Sequence, residues 1–251
     1  MKAIIPAAGH GTRFLPVTRV IPKEMLPIGA KPALELIVEE AKSAGAEEIV
    51  MVISKGKELI REYFKDDSSI TFVYQLEQKG LGHAVLQAES ACRNVEGNVL
   101  ILLGDALVAG CNAAKEMMEV STANGGAGVV GLEHVPPEKV SRYGIVRRDG
   151  ERIVDLVEKP KLEEAPSDLA IAGRYLLNAK IFDYLRTQTP GKGGEIQLTD
   201  AIRRMVQDMS QSNDRTIEQS TSLFGYVYPG KRQDIGNPQG YLNALLAMKG
   251  E

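Results

Sequence analysis

The sequence predicts an α/β protein built on a doubly wound, mostly parallel (mixed) sheet with helices on both faces. Short apolar runs typical of strands alternate with amphipathic stretches typical of helices. The run Val99–Leu103 is the most apolar in the chain, as expected of a central strand that is buried on both faces. No stretch resembles a flexible linker, so we interpret residues 1–251 as a single domain.

The first half of the chain carries the clearest alternation. Between residues 31 and 44, Leu34, Ile37, Val38 and Ala41 recur on one helical face, and Ala44-Gly45-Ala46 ends the helix. The strands predicted here are Lys2–Pro6, Glu48–Ile53, Ile70–Tyr74, Val99–Leu103 and Gly128–Leu132. The helices predicted here are residues 31–44, Lys57–Phe64, Leu81–Cys92 and 112–121.

The second half is less regular. Asp149-Gly150 lies between two strand-like runs, Ile145–Arg148 and Arg152–Val157, and predicts a hairpin. The remaining elements predicted are helices at 178–186, 196–208 and 238–248, a strand at Phe224–Tyr228 and a polar loop at 208–220.

Composition narrows the possible functions. The formal net charge is −3, and no apolar run approaches the ~20 residues that a membrane helix needs. Cys92 and Cys111 cannot form a disulfide framework, so we expect a reducing, cytoplasmic setting. Residues 1–31 nevertheless carry five Lys and Arg against one acid. This local excess, in an otherwise acidic chain, argues against nucleic-acid binding and favours a small polyanion held at one place.

A glycine-rich turn, Ala7–Arg13, follows the first predicted strand. Glycines allow close approach of a ligand to the backbone, where N–H groups can bind phosphate oxygens. The dinucleotide fingerprint requires a glycine where this chain has Phe14, and no Gly-Lys-Ser or Gly-Lys-Thr follows for a Walker A loop. A tight turn that binds no ligand remains the alternative.

The segment after the turn contains Pro16 and Pro22, flanked by Arg13 and Lys23. Because proline fixes φ and breaks helices, we expect a stiff, extended segment that holds both cations beside the turn. Fixed cations suit phosphoryl transfer, where charge develops on phosphate oxygens.

Together, Gly9-x-Gly11-Thr12-Arg13 and Pro22-Lys23-Glu24-Met25-Leu26-Pro27 resemble the sugar-1-phosphate nucleotidyltransferases, and among them the bacterial UTP–glucose-1-phosphate uridylyltransferases (UDP-glucose pyrophosphorylases). Further blocks carry the resemblance in order along the chain: Lys79–Ala84, Leu156–Pro160, Ala165–Ser167, Ala170–Tyr175, Gly193–Asp200 and Asp234–Asn237. The resemblance implies a Rossmann-like, GT-A-like fold with a nucleotide-binding half, residues 1–135, and a sugar-binding half with a C-terminal helix, residues 136–251.

A metal site is suggested independently by Asp105, which follows the central strand through Gly104 and so lies where open α/β sheets bind ligands. Carboxylates and phosphate oxygens together suit Mg²⁺. An Asp after a strand is otherwise a turn or cap residue. The resemblance implies that Asp105 binds a metal, and it adds Asp234 as the second ligand.

The resemblance also implies the other site residues. Arg13 and Lys23 would serve the triphosphate, and Lys159 the sugar phosphate. The residues implied for nucleotide binding are Ala8, Gly9, Gly11, Thr12, Gln75 and Gly80. Those implied for sugar binding are Gly144, Glu158 and Gly173.

The implied reaction converts UTP and glucose 1-phosphate into UDP-glucose and pyrophosphate with Mg²⁺. The alternatives are thymidylyl transfer that makes dTDP-glucose, the reaction of another sugar-1-phosphate nucleotidyltransferase, and an inactive regulatory paralogue that binds sugar nucleotides. We also expect a cytoplasmic homo-oligomer, a dimer or tetramer, with no nucleic-acid or membrane partner. The chain is shorter than expected for the family, mainly in connecting loops and at the C-terminus.

Overall fold

The computed structural model describes residues 1–211 and 222–248. The strands are β1 (Lys2–Pro6), β2 (Pro27–Ile28), β3 (Lys31–Pro32), β4 (Glu48–Ile53), β5 (Ile70–Tyr74), β6 (Asn98–Leu102), β7 (Ala106–Ala109), β8 (Gly128–His134), β9 (Gly144–Asp149), β10 (Arg152–Glu158), β11 (Leu169–Asn178), β12 (Leu223–Val227) and β13 (Lys231–Asp234). The helices are α1 (Ala33–Ser43), α2 (Glu58–Tyr63), α3 (Leu81–Gln87), α4 (Ala113–Ala123), α5 (Ile181–Arg186), α6 (Leu198–Gln211) and α7 (Pro238–Ala247).

Within these described residues, nine strands form one sheet in the order β5-β4-β1-β6-β11-β8-β12-β10-β9. The first-half strands β5, β4, β1 and β6 are parallel neighbours, as the alternation of strands and helices predicts. Strand β6 lies inside the sheet between β1 and β11, so the prediction of a central strand is confirmed.

The second half makes the sheet mixed. β11 is antiparallel to β6 and β8, and β10 is antiparallel to β12 and β9, while β12 runs parallel to β8. The predicted hairpin is confirmed, with Arg152 paired to Asp149 across the turn. The sequence did not predict β11 as a strand, although it is ten residues long and joins the two halves of the sheet.

Apolar side chains cover both faces of the sheet. Along β1, Ala3 and Ile5 pack into the core formed with α1, α2, α4 and α7, whereas Ile4 packs into the core formed with α3, α5 and α6. This alternation follows from the two-residue period of a strand. The helices therefore lie on both faces, as the fold class requires.

Several predicted boundaries were wrong. The helix predicted at Leu81–Cys92 ends at Gln87 and is followed by a 3-10 helix, Glu89–Cys92. The helix predicted at 178–186 begins at Ile181, because β11 extends to Asn178. α6 continues to Gln211 into the predicted polar loop, whose remaining residues lie outside the described part of the chain.

The segment after the glycine turn is also not extended. It forms three 3-10 helices, Thr12–Phe14, Val17–Arg19 and Lys23–Met25. The prolines interrupt helix propagation as expected, but each interval between them is long enough for one tight turn.

Two short ribbons complete the fold. β2 pairs with β3, and β7 pairs with β13 in the register Ala106–Asp234. None of the helices in residues 1–211 and 222–248 combines the length and apolar character that a membrane crossing requires.

Candidate active site

The candidate site lies at one edge of the sheet, where the carboxyl ends of the four parallel strands meet. The glycine turn follows β1, Lys57 follows β4, Gln75 follows β5 and Asp105 follows β6. Open α/β sheets bind ligands at this edge, because the loops that leave neighbouring strands converge there. The sequence prediction for Asp105 used this rule, and the strand order supports it.

The glycine turn is shaped by Gly11, whose φ of 65° is a left-handed conformation that favours glycine. A Cβ on Gly11 would lie 2.9 Å from Thr18 Cγ2, so the position is also sterically closed to other residues. The Thr18 hydroxyl donates a hydrogen bond of 2.8 Å to the Gly11 carbonyl oxygen and fixes the turn. Gly9 and Thr12 are exposed, which leaves their backbone accessible to a ligand.

Lys23 lies beside this turn. Its ammonium group forms an ion pair with the Asp105 carboxylate and lies 3.9 Å from the position of a Cβ on Gly9. Burial opposes the charge on Lys23, but Asp105, Glu24 and Asp234 outweigh it and raise the pKa of Lys23 above its usual value. Lys23 is thus a permanent cation at the turn.

The two predicted metal ligands converge. A Cβ on Gly236 would lie 2.8 Å from Asp234 Oδ1 and 3.4 Å from Asp105 Oδ2, so both carboxylates approach one point. The β7–β13 ribbon brings them together, and the backbone N–H of Ile235 donates a 2.9 Å hydrogen bond to the Asp105 carbonyl oxygen. Burial favours the neutral acid, but Lys23 and Lys57 hold the pKa of Asp105 below its usual range.

Asp105 and Asp234 fit the kind of magnesium site that substrate phosphates complete. Mg²⁺ is commonly held by one or two carboxylates together with substrate phosphates, rather than by a cage of protein ligands alone. Among the described residues, no group of three or more His, Cys, Asp or Glu side chains could form such a cage. Two carboxylates that converge beside the glycine turn match the first arrangement.

Behind the turn lies a buried ion pair that the sequence analysis missed. The Lys57 ammonium donates to both Glu24 oxygens, each at 2.8 Å, and to the Ala7 carbonyl oxygen at 2.6 Å. Both side chains are buried, which lowers the pKa of Lys57 and raises that of Glu24. Lys57 therefore ties the glycine turn to the segment that carries Lys23.

The predicted base contacts, Gln75 and Gly80, also lie together. Gln75 is buried, and its amide nitrogen donates to the Gly80 carbonyl oxygen at 3.2 Å. Gly80 has a φ of 99°, and a Cβ there would lie 2.8 Å from the Ile196 carbonyl oxygen, so only glycine fits. The backbone N–H of Ile196 binds the Lys79 carbonyl oxygen at 2.7 Å, which fixes this loop against the second half of the chain.

The predicted sugar side lies at the end of β10. Glu158 pairs with Gly144 across the β9–β10 hairpin, and the Lys159 ammonium lies 3.2 Å from Glu158 Oε1. Lys159 has a φ of 46° and is the one non-glycine residue with a positive φ in the described chain. Such strained backbone positions cluster at functional sites. Lys159 is partly exposed, whereas the Glu158 side chain is largely buried.

The two predicted sugar-side glycines are packed against protein. A Cβ on Gly144 would lie 2.9 Å from Thr199 Oγ1, and one on Gly173 would lie 3.0 Å from Leu103 Cδ1. Gly173 lies in a β11 irregularity, next to the loop that carries Asp105. Close packing therefore already explains both glycines, and their contact with a sugar stays a prediction.

Arg13 and Ala8 complete the predicted set. Ala8 is buried at the start of the glycine turn, and Arg13 is exposed in the first 3-10 helix. No ion pair or hydrogen bond joins the Arg13 guanidinium to another side chain in residues 1–211 and 222–248. Its charge is therefore available to a ligand at the turn.

A large open cavity of about 1090 Å³ adjoins the Asp234 side of the site. It is lined by Asp234 and by a charged group in which Arg232 pairs with Glu133 and lies 4.1 Å from the Tyr143 ring centroid. The sequence analysis did not single out Glu133 or Arg232. Their pairing joins β8 of the main sheet to β13 of the β7–β13 ribbon and has no local sequence signal.

Comparison with known proteins agrees with this geometry. A family model described as "Nucleotidyl transferase" matches residues 2–250. The chain belongs to the nucleotidyl transferase family. A UTP–glucose-1-phosphate uridylyltransferase from Staphylococcus haemolyticus is 42% identical, over 98% of this chain and 91% of that protein.

Solved structures of related proteins are also similar to this chain. A UDP-glucose pyrophosphorylase complexed with UDP-glucose is similar with a TM-score of 0.86 and 36% identity, over 99% of this chain and 98% of that one. A putative glucose-1-phosphate thymidylyltransferase from Bacillus anthracis has a TM-score of 0.82 at 24% identity, over 100% of this chain and 96% of that one, and so shares the fold. The predicted fold class and the resemblance drawn from the motifs are both confirmed.

Proposed function

We propose that this nucleotidyl transferase transfers a uridylyl group from UTP to glucose 1-phosphate and releases UDP-glucose and pyrophosphate. One observation carries the proposal. The Lys23 ammonium and the Asp105 and Asp234 carboxylates meet beside the glycine turn, in a chain similar over nearly its whole length to enzymes named for this reaction. A cation, two metal-binding acids and an accessible backbone are what phosphoryl transfer requires.

In this reaction a phosphate oxygen of glucose 1-phosphate attacks the α-phosphorus of UTP. The new P–O bond forms as the bond to the β-phosphate oxygen breaks, and pyrophosphate leaves. No protein nucleophile takes part, so catalysis comes from positioning and from neutralisation of phosphate charge. Arg13 and Lys23 bind the triphosphate oxygens at the turn formed by Ala8, Gly9, Gly11 and Thr12.

Asp105 and Asp234 would hold Mg²⁺. When bound, the ion supplies charge neutralisation and alignment of the phosphates of the two substrates. Lys23 contributes a fixed positive charge next to these acids, since its pKa is raised above the usual lysine value.

The remaining residues orient the two substrates. Gln75 and Gly80 face the uracil base. Glu158 accepts hydrogen bonds from sugar hydroxyl groups, Lys159 binds the sugar phosphate, and the backbones of Gly144 and Gly173 lie against the sugar. The short distance from Lys159 to Glu158 supports placing both at one substrate.

Two further features belong to the proposal. We expect a cytoplasmic homo-oligomer, a dimer or tetramer, without nucleic-acid or membrane partners. Leu242 and Leu246 of α7 are exposed apolar residues that could serve subunit contact. Light scattering of the purified chain measures this state, and a monomer would contradict it.

Pyrophosphate release tests the function directly. UTP, dTTP, CTP, ATP and GTP are each combined with several sugar 1-phosphates, with and without Mg²⁺. We expect the highest rate with UTP, glucose 1-phosphate and Mg²⁺. A preference for dTTP would identify a thymidylyltransferase instead, and no release with any pair would indicate an inactive paralogue.

A further inference from the structure

His83 contacts the glutamine proposed to face the base. Gln75 lies at the end of β5 with 2% of its surface exposed, and His83 lies in the first turn of α3. The Gln75 amide nitrogen is 3.2 Å from the Gly80 carbonyl oxygen and 3.0 Å from His83 Nδ1. Both protons of this amide therefore have a partner within the protein.

These contacts fix the orientation of the Gln75 amide. A carbonyl oxygen can only accept a hydrogen bond, so the part of Gln75 that faces Gly80 must be the NH₂ group. The second N–H then points at His83 Nδ1, which must be the acceptor. His83 is accordingly neutral and carries its proton on Nε2.

The surroundings of His83 favour this neutral ring. Burial and the charge of Lys79 lower the pKa of His83, and Glu77 opposes them only in part. On its far side, His83 Nε2 lies 3.3 Å from the Gln87 amide nitrogen. Gln87 is partly exposed, and its amide nitrogen also donates to the His83 carbonyl oxygen at 3.1 Å, so Gln87 supplies no acceptor for the Nε2 proton.

The consequence concerns which base the site accepts. With both amide protons engaged, Gln75 can offer a ligand only its oxygen, which is an acceptor. Uracil and thymine carry an N–H at position 3, whereas cytosine has an unprotonated nitrogen there. We propose that His83 is a positioning residue that locks the Gln75 amide, so that the site accepts a base with an N3 proton and rejects cytosine. This inference rests on the proposed function, in which Gln75 faces the base.

Direct binding tests the proposal without relying on turnover. Calorimetry with Mg²⁺ compares UTP, CTP and N3-methyl-UTP on the intact chain. We expect UTP to bind about 100-fold more tightly than the other two, because each leaves the Gln75 oxygen without a donor. Equal affinity for UTP and N3-methyl-UTP, or no UTP binding, would overturn the inference.

Variants of His83 then isolate its role. His83→Ala and His83→Phe both remove the acceptor, one leaving space and the other filling it, and each should reduce the UTP to CTP preference at least tenfold. His83→Asn places an amide oxygen near the Nδ1 position and should restore most of the preference. His134→Leu, at an exposed histidine paired with Asp168, is the matched control and should leave it unchanged.

The outcomes separate the inference from the proposed function. A preference retained in both His83→Ala and His83→Phe would overturn the role of His83, whatever the enzyme makes. A lost preference in these variants, restored by Asn, would support that role even if the wild-type chain released no pyrophosphate. In that case the proposed reaction alone would fail.

Discussion

The Lys23 ammonium group bridges the Asp105 carboxylate and the glycine turn. It pairs with Asp105 on one side and lies 3.9 Å from the Cβ position of Gly9 on the other. The side chain is largely buried, so this arrangement is held by packing as well as by charge. One cation thus links the acids proposed for Mg²⁺ to the backbone proposed for phosphate.

Asp105 and Asp234 should both be needed for turnover, and to a similar extent. Asp105→Asn and Asp234→Asn each remove one charge with almost no change of shape, so we expect Mg²⁺-dependent pyrophosphate release to fall by at least about 100-fold in both. Circular dichroism should show that both variants keep the fold. Asp66→Asn is the matched control, at an exposed loop beyond the opposite edge of the sheet. Near-normal release by either site variant would contradict its assignment to the metal.

The buried ion pair of Lys57 and Glu24 should contribute strongly to the free energy of unfolding. Removing one partner leaves an unpaired charge in the core, so Lys57→Met or Glu24→Gln should lower the free energy of unfolding by about 3–5 kcal/mol. The double variant should cost less than the sum of the two, which measures their coupling. Urea unfolding gives these values.

An exposed pair provides the comparison. Lys42 lies 2.6 Å from Asp67 at the surface, and Lys42→Met should cost no more than about 1 kcal/mol. If Lys57→Met were as mild as Lys42→Met, the buried pair would not be what holds the glycine turn against the Lys23 segment.

Much of the parallel half of the sheet was predictable, and the reason is local. The bounds predicted for β1, β4 and β5 match the structure, because each strand is a short apolar run between polar or turn residues. The sequence did not predict β11, because Arg174 and Gly173 interrupt its apolar pattern. Arg174 is fully buried and is compensated by Glu40 on α1, at 2.6 Å, a partner 134 residues away that no local pattern reveals.

The features of the candidate site also divide into those with a local sequence signal and those that depend on residues distant in sequence. Motifs identified Lys23 and Asp105 separately, but their ion pair joins residues 82 positions apart and required the strand order. No sequence pattern places Lys57 in the site, because a lysine at the start of a predicted amphipathic helix is usually a solvated surface residue. Its burial depends on Glu24, which lies 33 positions earlier in a segment that the sequence predicted to be extended.

Arg13 should act on the reaction and not on the fold. The side chain is exposed, and no described residue pairs with it, so Arg13→Ala should leave the melting temperature almost unchanged. A charge that serves the transferring phosphate acts mainly in the transition state, so we expect turnover to fall by about 100-fold. Arg93→Ala, at an exposed arginine near the opposite edge of the sheet, is the control. Equal, small effects of the two variants would count against Arg13 as a catalytic residue.

Lys159 should distinguish the two substrates. Its ammonium lies beside Glu158 on the proposed sugar side, so its loss should raise the KM for glucose 1-phosphate at least tenfold and leave the KM for UTP nearly unchanged. The substitution must respect the backbone, because Lys159 has a φ of 46°. Asparagine tolerates this left-handed conformation, so Lys159→Asn removes the charge without adding strain. Lys161→Asn, two residues further on and exposed, is the matched control. Steady-state kinetics with each substrate varied in turn measures both KM values. An equal rise in both would show that Lys159 does not specifically bind the sugar phosphate.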